Sequence, residues 1–237
     1  TPFGKNVFKE SDFWSYDENL LVEIKKKYKD YNYGFFETHR LGKKNLQYNQ
    51  SGGAEWMGAS VDHTKQIMYV TSNNIPYETE VEIDNEDSLI PTYTSFHERA
   101  LDKNGFPISK PPWGTITAMD LNSGSIIWQI PFGEYEKLSS IGIDVTGTEN
   151  FGGVTGTEGN VLFASGTLDK KFYIFSAENG KKLFSYQLEY IGSSPPTTFY
   201  YNEKQYIIVH STGGKTLGVG YPEIVESGNL IYAFTLD

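Results

Sequence analysis

The chain repeats itself after 56 residues, and this period limits the folds open to it. Gly124 lies over Gly180 and Trp128 over Phe184 at the same offset. The first segment reads Thr115-Ile-Thr-Ala-Met-Asp-Leu-Asn-Ser-Gly-Ser-Ile-Ile-Trp128, the second Lys171-Phe-Tyr-Ile-Phe-Ser-Ala-Glu-Asn-Gly-Lys-Lys-Leu-Phe184. Each is an apolar strand, a turn closed by glycine and a second apolar strand with an aromatic residue at a fixed place. Asn179-Gly180 predicts a type I′ hairpin, whose two central residues both take positive φ, and Ser123-Gly124 is a weaker form of the signal. A third copy begins at Leu230-Ile-Tyr-Ala-Phe-Thr-Leu-Asp237, with no turn or last strand after it.

Upstream of each hairpin lies a further strand pair: 57–61 with 66–71, 152–157 with 161–165, and 197–201 with 205–210. Four strands per repeat, A to D in chain order, with glycine and aromatics at fixed offsets, predict an all-β chain of β-propeller blades. A β-sandwich of short, evenly spaced strands remains the alternative. The partial propeller covers 51–237, with one blade over 51–133, a second over 146–189 and an incomplete third over 193–237. About forty residues, 73–113, are inserted in the first blade. Closed propellers use four to eight blades, so this count predicts that the remaining blades lie elsewhere, on the same or an associated chain. Residues 1–50 stand outside the repeat as a helical or irregular segment. The spacing Ser15-Tyr-Asp-Glu18 matches a capping box, and Leu20, Leu21, Ile24 and Tyr28 share one helical face. A helix over about 16–29 is predicted, packed outside the blades.

In a propeller the D-to-A and B-to-C connections share one end. Here those are the long ones, where ligand sites usually form on a rigid scaffold. The formal net charge of −10 disfavours a phosphate backbone as partner, and short runs such as Lys25–Lys27 read as solvated lysines, so no nucleic acid is expected. Without cysteine there is no disulfide, thiolate zinc site or c-type haem attachment. No apolar run approaches the ~20 residues of a membrane helix, and the start Thr1-Pro2-Phe3 carries no signal segment and suggests a processed or truncated terminus.

Most chemical motifs fail on inspection. Gly213-Gly-Lys-Thr216 resembles the end of a phosphate loop, but Val209 stands where glycine is required. The histidines His39, His63, His97 and His210 lack metal-ligand spacing, and no Gly-x-Ser-x-Gly elbow occurs. The acidic stretch Glu78–Asp87 lacks the alternating ligands of a calcium loop and reads as a solvated loop. His97-Glu98-Arg99 reads as a surface ion pair. Two segments are more specific: Gly52-Gly-Ala-Glu-Trp-Met-Gly58 and Gly147-Thr-Glu-Asn-Phe-Gly-Gly153. Each leads into a strand A, the strand that lines a propeller's channel. Each therefore brings a carboxylate, an aromatic ring and close-approaching backbone to the channel mouth. Tight packing between blades by the glycines and Trp56 accounts for them equally well.

Residues 52–62, the stretch Lys110-Pro-Pro-Trp-Gly-Thr-Ile-Thr-Ala-Met-Asp-Leu-Asn-Ser-Gly124 and Thr146–Gly153 resemble the quinoprotein dehydrogenases that use pyrroloquinoline quinone (PQQ). The membrane-type glucose dehydrogenase branch is the most similar. The likeness covers nearly the whole chain and corresponds to the C-terminal part of an eight-bladed propeller. It implies a quinone in the central channel that takes two electrons from a sugar or alcohol, a divalent cation (calcium or magnesium), and a periplasmic or extracellular setting. The family's catalytic base, metal ligands and quinone-stacking tryptophan lie in earlier blades and match nothing here, so this segment alone is expected to be inactive, with no catalytic and no metal-binding residues of its own. The cofactor-approaching positions that carry over are Glu55 and Trp56, from a Gly-Gly-x-[Asn/Glu]-Trp pattern, and Asn150, Phe151, Gly152 and Gly153. Glu55 stands where alcohol-oxidising relatives carry Asn, and Phe184 stands where the repeat otherwise has Trp, which loses an N–H donor. The rival expectation is a non-catalytic propeller that binds protein or glycan partners.

Overall fold

The computed structural model describes residues 1–35, 37–48, 53–85, 89–214 and 226–235, except the side chain of Glu55. Along the chain come α1 (Glu18–Tyr28), β1 (Asn32–Tyr33), β2 (Asn45–Tyr48), β3 (Ala54–Asp62), β4 (Ile67–Asn73), β5 (Pro76–Ile83) and β6 (Tyr93–Arg99). Then follow β7 (Gly114–Asp120), β8 (Ser125–Pro131), α2 (Glu136–Ser139), β9 (Val154–Gly156), β10 (Val161–Ala164), β11 (Lys171–Ser176) and β12 (Lys182–Gln187). The last strands are β13 (Thr197–Tyr201), β14 (Lys204–Gly213) and β15 (Ser227–Thr235). No helix among the described residues is long and apolar enough to cross a membrane. The chain forms two compact units, one of residues 1–3, 54–73 and 112–237 and the other of 4–53 and 74–111.

The first unit contains the repeat. Its sheets run β3-β4-β7-β8, β9-β10-β11-β12 and β13-β14-β15, antiparallel throughout. Strand alternation gives each inner strand two apolar faces, one for each neighbouring sheet. Tyr69, Ile116, Ala118 and Phe132 pack against Val154, Leu162, Ala164, Tyr173 and Phe175 to join the first two sheets. On the other face of the second sheet, Phe163, Phe172 and Leu188 meet Ile207 and Val209 of the third. Phe172 stacks on Phe234 there, with centroids 4.9 Å apart.

The glycine-and-aromatic repeat has a packing cause. Trp128 on β8 donates its indole N–H to the Ala177 carbonyl at 3.1 Å, so the first sheet docks on the β11–β12 turn of the second. Gly180 in that turn has φ +72°, and a Cβ there would fall 2.8 Å from Ile130 Cγ2 and 3.0 Å from Trp128 Cε3. The type I′ expectation at Asn179-Gly180 is corrected, because Asn179 keeps negative φ. The loop instead closes by Gly180 N–H donating to the Ser176 carbonyl at 2.9 Å, and Gly124 repeats the motif onto Asp120 at 2.8 Å. The two-residue turn with positive φ at both centres is Asn202-Glu203, at +45° and +62°. No glycine marks it, which hid it in the sequence.

The second unit corrects three expectations. The N-terminal segment and the insertion are not separate features, since β1, β2, β5 and β6 form one four-stranded sheet, with β1–β2 parallel. The acidic stretch forms strand β5 rather than a loop, because its alternation Tyr77, Thr79, Val81 gives it a buried face. Residues 86–88 lie outside the described residues. α1 starts one residue before Glu18 at Asp17, whose carboxylate accepts N–H groups from Asn19 at 2.8 Å and Leu20 at 3.1 Å. Ser15 lies outside the N-cap and instead accepts the Asp17 N–H through its hydroxyl at 3.2 Å. Leu20, Ile24 and Tyr28 bury against Phe8, Phe13, Leu46, Tyr48, Ala100 and Ile108. Consecutive residues on a strand point to opposite faces, so the neighbours His97 and Glu98 on β6 face apart.

Candidate functional site

The first strands of the three sheets meet along one edge of the first unit. Ser60 on β3 accepts the Gly156 N–H of β9 through its hydroxyl at 2.9 Å. Thr155 on β9 donates its hydroxyl to the Pro196 carbonyl, just before β13, at 2.6 Å. Gly153 has φ +81°, and a Cβ on it would lie 3.1 Å from Met57 Cβ and 3.2 Å from Pro195 Cγ. The sheets thus fan from a shared edge formed by their A strands, the geometry of propeller blades.

Trp56 stands on this edge. Pairing of β3 with β4 jumps from Ala54–Ser72 to Ala59–Val70, so four residues, 55–58, face one residue of the partner, Thr71. Such a bulge bends a strand and re-aims its side chains. Gly58 supplies the positive φ of +86°. The outcome is an indole that is 84% exposed, while the other repeat tryptophans are half-buried at Trp128 or sealed at Trp113. Glu55 lies in the same bulge, and its side chain is outside the described residues.

The second segment faces inward. Asn150 is fully buried. Its backbone N–H and its amide both donate to Asn73 Oδ1, at 2.9 and 2.7 Å, and the amide also reaches the Ser72 carbonyl at 3.3 Å. Asn73 returns a bond from its own amide to the Asn150 carbonyl at 2.9 Å. Phe151 is half-buried and donates its N–H to the Gly166 carbonyl at 2.9 Å. A Cβ on Gly152 would overlap the Ser165 carbonyl. Asn150, Gly152 and Gly153 therefore hold blades together, whereas Trp56 is presented outward. Two buried oxygens on this seam, Thr71 Oγ1 and Asn150 Oδ1, find no hydrogen-bond partner among the described residues.

Sequence reasoning overlooked a half-buried carboxylate at the β10–β11 turn, Asp169. Asp169 accepts from Thr167 Oγ1 and Tyr173 OH, each at 2.5 Å, and from the Glu134 N–H at 2.9 Å. Burial pushes its carboxyl up, against the pull of those donors. The same burial, followed by the Asp169 charge, raises the Tyr173 phenol. Lys171 pairs with Glu134 beside it, in a cleft of about 700 Å³. With its acceptors committed, Asp169 closes a turn. Its signal was the strand-entry pattern Thr167-Leu-Asp169, which resembles any tight turn. No group of three histidine, aspartate or glutamate side chains among the described residues is placed to hold a metal.

Comparison with known proteins follows the same lines. Residues 1–207 match the model of the PQQ glucose/ethanol/alcohol dehydrogenase β-propeller domain. The quinate/shikimate dehydrogenase (quinone) of Acinetobacter baylyi is 24% identical across 99% of this chain and 32% of its own length. The quinoprotein glucose dehydrogenase of Escherichia coli is 25% identical across 78% of this chain and 26% of its own. The chain thus spans about a third of the length of these relatives. Among solved structures, a europium-containing methanol dehydrogenase superposes with a TM-score of 0.62 at 20% identity, over 84% of this chain and 36% of that one. The quinohemoprotein alcohol dehydrogenase of Comamonas testosteroni gives 0.58 at 20% identity, over 82% and 28%.

Proposed function

Because the chain belongs to the PQQ-dependent glucose/ethanol/alcohol dehydrogenase β-propeller family, we propose that it is a blade-bearing part of a quinoprotein that oxidises a sugar, polyol or alcohol. The observation that carries this reading is the exposed indole of Trp56 on the edge where the three A strands meet. An indole exposed at this edge offers a bound quinone apolar contact area and an N–H donor. Bound in such a protein, the quinone accepts the two electrons released when a substrate hydroxyl carbon becomes a carbonyl.

The residues described fit this group unequally. Trp56 offers a free π-face, and the backbone of 151–153 lies at the same edge. Asn150, Gly152 and Gly153 contribute rigidity, because the Asn150 backbone N–H and amide nitrogen and the two glycine α-carbons are already engaged. We assign the divalent cation and the proton-accepting base to residues outside this chain and place the protein in the periplasm or outside the cell. The chain by itself is inactive on this reading.

The test is dye reduction with PQQ, calcium and a panel of glucose, quinate, glycerol and ethanol. It is run on this chain and on the polypeptide its gene encodes. Turnover by the longer polypeptide alone supports the proposal. Turnover by the isolated chain would refute the placement of the base elsewhere, and no quinone binding by either would favour a non-catalytic propeller.

A further inference from the structure

We propose that Asn150, with Asn73 and Gly153, is a positioning device that sets where Trp56 stands, rather than a ligand of the cofactor. This rests on the reading of Trp56 as a quinone-facing residue. The 55–58 bulge leaves β3 without ladder partners between Ala54 and Ala59, so something other than the sheet must fix its path. On one side, Ala54 pairs with Ser72. Ser72 is held by two neighbours, its carbonyl by the Asn150 amide at 3.3 Å and its hydroxyl by Thr115 Oγ1 at 2.7 Å, and the next residue, Asn73, is held by the reciprocal bonds to Asn150. On the other side, Gly153 abuts Met57, the residue after Trp56. The four-residue segment 150–153 therefore grips the strand opposite the base of the bulge and supports its crest. The first grip is a set of buried hydrogen bonds, costly to leave unmade, and the second is close packing.

Flipping the buried Asn150 amide would set its oxygen against Asn73 Oδ1 and the Ser72 carbonyl, the two acceptors its NH2 now serves, so one orientation is defined. This is the requirement on residues that hold a site group to a fraction of an ångström. Asn150 touches no open surface, so its influence on the cofactor runs through β4 and the bulge.

The test labels the encoded polypeptide with 5-fluorotryptophan and assigns the fluorine resonances of Trp56, Trp14 and Trp128 by single Trp→Phe variants. Asn150→Ala is expected to shift and broaden the Trp56 resonance, leave that of Trp14 in place and weaken PQQ binding about tenfold. Asn150→Ser is the milder variant should Asn150→Ala fail to fold. Leu188→Ala is the control, as it opens a cavity on the seam of the second and third sheets and should leave Trp56 unmoved. An unchanged Trp56 resonance in both Asn150 variants, or an equal change in Leu188→Ala, overturns the positioning role. If Asn150→Ala moves Trp56 while PQQ leaves the wild-type Trp56 resonance untouched, the positioning role stands and the cofactor reading of Trp56 falls.

Discussion

Trp128 donates its indole N–H to the carbonyl of Ala177 at 3.1 Å, which ties the last strand of one sheet to a turn of the next. The ring also lies 6.0 Å from Tyr69, centroid to centroid. Trp128→Phe keeps most of the ring contact and leaves the carbonyl without its donor, for a loss of about 1 kcal/mol. Trp128→Ala also removes the ring and should cost about 3 kcal/mol or more. Urea denaturation of the two variants measures the difference.

Glycines of the first unit differ sharply in what they tolerate. Gly142 has φ +84° with nothing near its α-carbon, so Gly142→Ala bears backbone strain alone, about 1 kcal/mol. Gly152 has an ordinary φ but abuts the Ser165 carbonyl and the α-carbon of Gly166. Gly152→Ala must push the two strands apart, and a loss of at least 2 kcal/mol is expected. Melting curves for the pair should therefore be ordered with Gly152→Ala lower.

In the second unit, Glu78 accepts hydrogen bonds from Tyr28 and from Tyr31 at 3.0 Å, and pairs with Lys27 at 2.6 Å. Burial alone would raise its carboxyl, but the three donors outweigh that and hold it below the usual value of 4.5. A depressed folded-state pKa means that its stabilisation is present above about pH 4.5. It is lost as pH falls through the folded-state value. Wild type should therefore lose more stability than Glu78→Gln between pH 6 and pH 3, measured by urea unfolding across about that range.

Much of this architecture can be read from residue order. The 56-residue offset identifies the blades because each copy repeats the same need: a glycine with room only for hydrogen under the next aromatic, as Gly180 shows beneath Trp128. Strands β3, β4 and β7 to β14 fall at their expected places. The pairing of the insertion with the N-terminal segment was not legible, because β5 finds its partner β2 across the chain and no local signal reports a pairing between residues 45–48 and 76–79. At the site, the Gly-rich segments were visible, but their division of labour was not. Asn150 and Trp56 have the same composition signal and opposite exposures, decided by a bulge and by a buried amide pair that only the three-dimensional arrangement reveals.

PQQ titration of the encoded polypeptide and its Trp56→Ala variant reads the contact of Trp56 with the quinone. Wild type should bind the quinone with quenching of tryptophan fluorescence, and the variant should lose that quenching and bind about tenfold more weakly, near the upper end of a single aromatic contact. Equal affinity and equal quenching in the two proteins would contradict that contact.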